Sequence, residues 1–334
     1  MLAQDWATRA VCDVDKAVVH DSVLTPPGRV AIEAEAAKIS NGIGRLWQIT
    51  APSGTVSHLW GTYHSTATLI LDLPDEVRSR IAGSTTVAVE VDYTSESRDA
   101  YREAQYFEGR YKEASDPFAL LPSGGAIAGL PQEVSDWIRD RAFELGWTED
   151  AELILSPAGM AEMLLSDPCE DFASGIIPIQ DDYIQLLGRL AGAKIQSLEI
   201  PEEFFSDLEA MPETAEAITQ VYAAYLQPVD TNEARATSFA LYLSGRIDMM
   251  FALDHAFITE TLGPMGETAL QRANDYLLDF RNERFLQRLR VPLERGGVFI
   301  AIGAGHLPGD GGMVNLLRDA GYQVTRIHLP GEAK

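Results

Sequence analysis

Two histidines of this chain stand in matched settings, Gly61-Thr-Tyr-His64 and Gly303-Ala-Gly-His306. Each follows an apolar, strand-like run, and a glycine ends that run. In open α/β sheets ligands bind beyond the carboxyl ends of the strands. Glycine lets the backbone turn tightly there, and neutral imidazole is a strong ligand for transition metals. One such tetrapeptide says little. Two of them, far apart in the chain and both at strand ends, point to convergence on one pocket. A third candidate is Glu90, inside Val87-Ala-Val-Glu-Val91. A carboxylate buried in such a strand without a partner costs several kcal/mol. It therefore calls for a cation, a hydrogen-bond network or the open end of the strand, and Asp92 follows on the same face. The chemistry these residues could do together is metal-assisted hydrolysis. His64, His306 and Glu90 would hold a divalent ion, with Glu90 as third ligand or as general base. Arg281 and Asn282 lie just before the His306 strand and are candidates for orienting a substrate carbonyl or stabilising an oxyanion.

Other chemistries lose their usual support. Gly303 to Gly309 is not a dinucleotide fingerprint: it contains His306 and Pro308, and too little chain follows for a second mononucleotide unit. Its glycines could still aim amides at an anion through the next helix N-terminus. No G-x-S-x-G elbow, P-loop or H-E-x-x-H is present. His58 alternates with Trp60 and reads as a packed strand residue. His20, His255 and His328 have no patterned partners.

The elements that must position these residues follow from periodicity. Residues 1–44 read as a polar lead-in with a short helix at about 30–39. Arg45–Thr50 and Thr55–Thr62, separated by Ala51-Pro-Ser-Gly54, read as a β-hairpin. Thr85–Val91 is β-branched and apolar, the pattern of a central strand covered on both faces. From about 95 to 290 the pattern is helical, with helices expected near 95–107, 131–145, 158–166, 180–192, 212–226, 231–244, 246–261, 266–279 and 281–291, and one short strand at Ile195–Ile200. Gly297–Gly303, Met313–Ala320 and Gln323–Leu329 then read as a βαβ unit of right-handed type. The expected fold is α/β: a mixed central sheet built from both chain ends, forming one domain over 45–329, with a large helical insertion.

Composition bounds the partners. Fifty acidic residues against 26 basic ones give a formal net charge of −24. That field repels nucleic-acid phosphates and anionic lipid, so a peptide or small-molecule substrate is expected. No run approaches the ~18 apolar residues of a membrane span. Leu2-Ala3-Gln4 resembles the stub around a signal cleavage site, which makes a periplasmic or secreted location the expectation and a cytoplasmic one the alternative. The two cysteines, Cys12 and Cys169, form no zinc-ligand pattern. They are either one disulfide or two separate buried thiols.

The same residues resemble the TraB/PrgY/GumN family, which includes the Tiki proteases. The resemblance runs through Leu46-Trp47, Leu59-Trp-Gly-Thr-Tyr-His-Ser65, Val87-Ala-Val-Glu90, Ala193-Lys-Ile-Gln-Ser-Leu-Glu199, Arg281-Asn282, Phe299 to Gly309 and Leu316 to Tyr322. It implies a fold similar to the erythromycin-esterase/ChaN-like group and divalent-metal peptidase chemistry. It maps the two family histidines onto His64 and His306, the strand glutamate onto Glu90, and the Arg-Asn pair onto Arg281-Asn282. One departure is Ala193, where the family pattern has glycine, and it leaves the role of Glu199 open. The expectation is thus a hydrolase, a peptidase by resemblance, using manganese, cobalt or zinc. The alternatives are a non-catalytic binder of haem or a small anion, and an interaction scaffold.

Overall fold

A computed structural model describes residues 12, 14–92, 127, 129–147, 151–165, 167–170, 177–227 and 231–334. The helix expected at 95–107 lies outside them. Six strands form one mixed sheet: β1 (Leu46–Thr50), β2 (Val56–Thr62), β3 (Thr86–Val89), β4 (Lys194–Ser197), β5 (Val298–Gly303) and β6 (Gln323–Ile327). Their order is β4-β3-β5-β2-β1-β6. The pairs β4/β3, β3/β5 and β5/β2 are parallel, whereas β1 runs antiparallel to both β2 and β6. Strands from the two ends of the chain thus share one sheet, and β5, from near the carboxyl end, is at its centre.

Alternation explains the layers. Phe299 and Ala301 of β5 pack with Leu46, Trp60, Val87 and Val89 against the helices Asp75–Ala82, Gln180–Leu190 and Thr231–Leu243. Ile300 and Ile302 turn the other way, with Trp47, Ile49 and Leu59, onto the helices Arg281–Arg295 and Met313–Asp319. Successive side chains of a strand point to opposite faces, so a strand covered on both faces must be apolar throughout; all six β5 residues are buried. A third core lies away from the sheet, where Val134, Met160, Phe205, Ile218, Ile258 and Ala269 hold the helical region together.

The hairpin, the central strand and most helix positions agree with the sequence patterns. Several details differ, among them the helix Asp75–Ala82, which was not expected. The helix Pro201–Ala210 was not expected; Pro201 begins it, and Glu203 returns its carboxylate to the Ile200 amide at 3.1 Å, a start signal that is easily missed beside a strand. The helix Arg281–Arg295 runs past Pro292, because the Arg288 carbonyl that proline cannot serve accepts Gln196 Nε2 at 3.3 Å instead. Residues Asp275–Phe280 form a π-helical turn between two α-helices. Finally, β5 and β6 are parallel but not neighbours, since β2 and β1 lie between them.

Cys12 and Cys169 form a disulfide with Cα atoms 5.3 Å apart, which ties the lead-in to the helical region. No helix among the described residues is long and apolar enough to cross a membrane.

Candidate metal centre

Because β4, β3, β5 and β2 are parallel, their carboxyl ends open at one edge of the sheet. Glu199, Glu90, His306 and His64 each follow one of those ends within a few residues. The four residues come from distant parts of the chain, and strand direction alone brings them to one edge.

The two glycines of the repeated tetrapeptide have different tasks. A side chain at Gly61 would strike Leu307 Cδ1 at 2.6 Å and Ala304 Cα at 3.0 Å, so Gly61 admits the turn that carries His306. A Cβ at Gly303 would instead stand 3.2 Å from both Glu90 Oε1 and His64 Nε2, and 3.6 Å from His306 Cδ2. Gly303 therefore keeps open the space on which the three residues converge. Its own amide donates to Glu90 Oε1 at 2.6 Å.

His64 is oriented from the helical side. Its Nδ1 lies 2.8 Å from Asp181 Oδ2, and Asp181 Oδ1 accepts the Thr62 hydroxyl at 2.7 Å. Asp181 stands in the first turn of the helix Gln180–Leu190. That turn is fastened to β2, because Gln180 Oε1 accepts the Trp60 indole N–H at 3.2 Å and the Gln180 amide donates to the Ser65 carbonyl at 3.2 Å. The Asp181 carboxylate pushes the His64 imidazole up to about 9, against burial and with smaller help from Glu90. The ring is 57% exposed, so water screens part of that attraction and no stability value follows from it.

His306 is oriented from the sheet side. Its ring is buried and tilted against Phe285 at 5.1 Å, and its Nδ1 lies 2.8 Å from Asn282 Oδ1. Asn282 Nδ2 donates to the carbonyls of Gly311 at 2.9 Å and His306 at 3.3 Å. The Asn282 amide is thus committed to the histidine loop and has no donor left for a substrate. Burial pushes the His306 imidazole down to about 3, helped by Arg281 and His64 and opposed by Glu90, which keeps the ring neutral at physiological pH. In both histidines Nδ1 is engaged, which leaves Nε2 as the free donor atom.

Glu90 joins the two sides. His306 Nε2 is 3.6 Å from its Oε1, and Arg281 Nη2 donates to its Oε2 at 2.6 Å. Burial pushes Glu90 up, but Arg281, the two imidazoles and the Gly303 amide outweigh it and hold the carboxyl well below the usual range. Arg281 is itself pinned: Nε meets both Glu199 oxygens at 3.0 Å, Nη2 also reaches Glu199, and Nη1 donates to the Leu277 carbonyl at 3.2 Å. Burial and the neighbouring Glu90 carboxylate raise Glu199, which Arg281 offsets only in part. The π-helical turn immediately precedes Arg281, held by Glu90 and Glu199, and Asn282, held by the His306 loop. Such turns often mark functional sites.

The structure therefore brings together all five residues singled out in the sequence: His64, Glu90, Arg281, Asn282 and His306. It adds Glu199, whose side chain holds Arg281, and Asp181, which sequence reasoning missed. Asp181 gave no signal, because an acidic pair after Pro178 reads simply as the favourable first turn of a helix. Among the described residues, the group whose ligand atoms all lie within 4.8 Å of one another is His64, Glu90 and Asp181. The other histidines stand apart. His255 pairs with Glu267 at 2.6 Å on the surface, His20 approaches Glu233 at 3.4 Å, and half-buried His58 is pushed down to about 4 by burial and Arg80.

The profile of the TraB/PrgY/gumN family matches residues 45–326, a span that holds every residue of this centre. The chain belongs to the TraB/PrgY/gumN family. Neither a curated protein nor a solved structure matches it. The strand-end histidines, the strand glutamate and the Arg-Asn pair all lie within the matched span.

Proposed function

We propose that this family member is a divalent-metal-dependent hydrolase with peptides as its substrate class. The supporting observation is the donor set around Gly303. Two imidazoles, each tethered through Nδ1, turn Nε2 toward a carboxylate, around the space that Gly303, lacking a side chain, leaves open. A histidine ligand generally has its other ring nitrogen held by a carboxylate or an amide oxygen, which fixes tautomer and orientation. Asp181 and Asn282 fit that role, and the imidazole, carboxylate and hard-cation chemistry suits manganese, cobalt or zinc.

His64, His306 and Glu90 would hold the ion. Asp181, whose carboxylate lies within 4.8 Å of ligand atoms of His64 and Glu90, would orient His64 and add an oxygen. A bound divalent ion supplies a Lewis acid and an acidified water. Arg281 neutralises Glu90 and keeps its outer oxygen in place, so that Glu90 presents Oε1 inward. Glu199 fixes the guanidinium. Asn282 aligns the buried imidazole, which burial keeps neutral. The helical region would cap the open edge and set specificity, as loops and caps on a rigid scaffold commonly do. An extracytoplasmic location belongs to this reading, and the Cys12–Cys169 disulfide supports it, because such bonds persist in oxidising compartments.

The test is metal analysis of freshly purified protein, followed by cleavage of a peptide library with and without manganese. Metal near one ion per chain, and cleavage lost on chelation and restored by manganese, are expected. Metal-free protein that takes up none of the three ions on titration would overturn the reading.

A further inference from the structure

We infer that Glu170, anchored by the Cys12–Cys169 disulfide, is a positioning residue for His64, so that the metal centre responds to thiol–disulfide exchange at a distance. The inference rests on the metal-centre reading above. The segment directly after His64 is held largely by one carboxylate, beside the Gln180 amide on the Ser65 carbonyl at 3.2 Å and Arg235 Nη2 on the Ser65 hydroxyl at 3.3 Å. Glu170 Oε1 accepts the Ser65 hydroxyl at 2.8 Å. Its Oε2 accepts the Thr66 amide at 2.9 Å and the Thr66 hydroxyl at 2.6 Å. Ser65 is fully buried, so these bonds fix the chain one and two residues beyond the ligand. The Glu170 side chain is 12% exposed and pairs with Arg235, which is 9% exposed. Arg235 also bonds Asp167 at 2.6 Å and lies 4.9 Å over the Phe239 ring; Phe239 packs edge-on against Tyr63, the residue before His64, at 5.4 Å.

Glu170 sits in the short helical turn Pro168–Glu170. Two bonds fix that turn from the other end. Asp167 Oδ1 accepts the Cys169 amide at 2.8 Å, and Cys169 is covalently joined to Cys12. The disulfide, the turn, Glu170 and the Ser65-Thr66 segment thus form one mechanical chain that ends at His64. His64 is the half-exposed member of the pair, and among the described residues no aromatic ring packs on it as Phe285 does on His306. It depends on its loop and on Asp181 for its position. Exchange with a dithiol would pass two electrons and two protons to the Cys12–Cys169 bond, giving two thiols here and a cyclic disulfide in the reagent. The turn would lose its covalent anchor and Glu170 its fixed place.

The experiment uses the full chain, cobalt(II) as an absorbance probe, and amide hydrogen exchange of the metal-free protein. Glu170→Ala is expected to weaken cobalt binding about tenfold, the lower end of what loss of a supporting partner costs a ligand. It should also speed exchange at Thr66 without changing exchange at Leu59 and Gly61 in β2. Glu170→Gln keeps one accepting oxygen and should lie between wild type and Glu170→Ala. Dithiol reduction of the wild type should reproduce part of the Ala effect, and adding it to Glu170→Ala should change little further. Wild-type cobalt affinity together with wild-type Thr66 exchange in Glu170→Ala would overturn the positioning role; a reduced wild type indistinguishable from the oxidised form in both readouts would overturn its redox link. Should the wild type bind no cobalt, the metal reading falls by itself, and Thr66 exchange alone decides the role of Glu170.

Discussion

The two halves of the centre begin from nearly the same tetrapeptide and end in opposite electrostatic states. His64 is half-exposed beside a carboxylate and is pushed up to about 9. His306 is buried beside a neutral amide and an aromatic ring and is pushed down to about 3. The local sequence is not the cause of this difference. It comes from the element packed behind each ring: the first turn of Gln180–Leu190 for His64, and the start of Arg281–Arg295 for His306. A repeated motif therefore does not imply repeated chemistry. One imidazole is already neutral at physiological pH, and the other would have to give up a proton before it could bind a metal.

The most forceful way to break the comparison is to remove each ring. His64→Ala and His306→Ala should each lower divalent-metal affinity by more than the ~10–100-fold typical of supporting partners, as read by calorimetric titration. Their stability costs should diverge: His306→Ala leaves a cavity and an unpaired Asn282 oxygen and is expected to cost about 2 kcal/mol or more in urea unfolding, while His64→Ala should cost under about 1 kcal/mol. Equal stability losses would mean that the two rings do not differ in burial as described.

A subtler set exchanges the partners rather than the rings. Asp181→Asn removes the main cause of the raised His64 value, so the His64 titration in metal-free protein should move down toward ordinary imidazole. Asn282→Asp places a carboxylate beside His306 and should move its titration up. Each variant should lose about 10–100-fold in metal affinity. Imidazole NMR titrations check both directions, and an unmoved His64 in Asp181→Asn would show that the carboxylate is not what sets it.

The smallest effect is the pH dependence of metal-free stability. His306 binds its proton near 6.5 when unfolded but only near 3 when folded. Between those values the unfolded chain binds more protons, so stability falls as pH falls below about 6.5, by about 2 kcal/mol at pH 5 from this residue. His64 has the opposite sign: its raised folded value contributes stability below about 6.5 that is lost as pH rises through about 9. Urea midpoints at pH 5, 7 and 9 should show a loss at pH 5 that His306→Gln relieves, and a loss at pH 9 that Asp181→Asn relieves.

Much of this was legible in the chain itself. The apolar alternation of β1, β2 and β5, the carboxylate in an otherwise apolar strand, and the glycine-ended runs before His64 and His306 are local patterns, and they set element type and the residues worth watching. Position just before the His306 strand marked Arg281 and Asn282, and the family motifs added the segment ending at Glu199. What the sequence could not give is set by packing across the fold. Asp181 and Glu170 look like ordinary acidic residues of helical turns, and only the docking of those turns onto β2 makes them partners of the His64 loop. Cys12 and Cys169 carried no pairing signal until the turn at Pro168 lay against the lead-in. The run past Pro292 had the same cause, because the distant Gln196 side chain serves the Arg288 carbonyl, whereas the missed helix Pro201–Ala210 carries a local start signal in Glu203. Residue types and periodicity fix what each segment can do. Protonation state, ring orientation and ligand geometry depend on burial and on charges from other segments, and these exist only once the strands lie parallel and the helices are seated at their open edge.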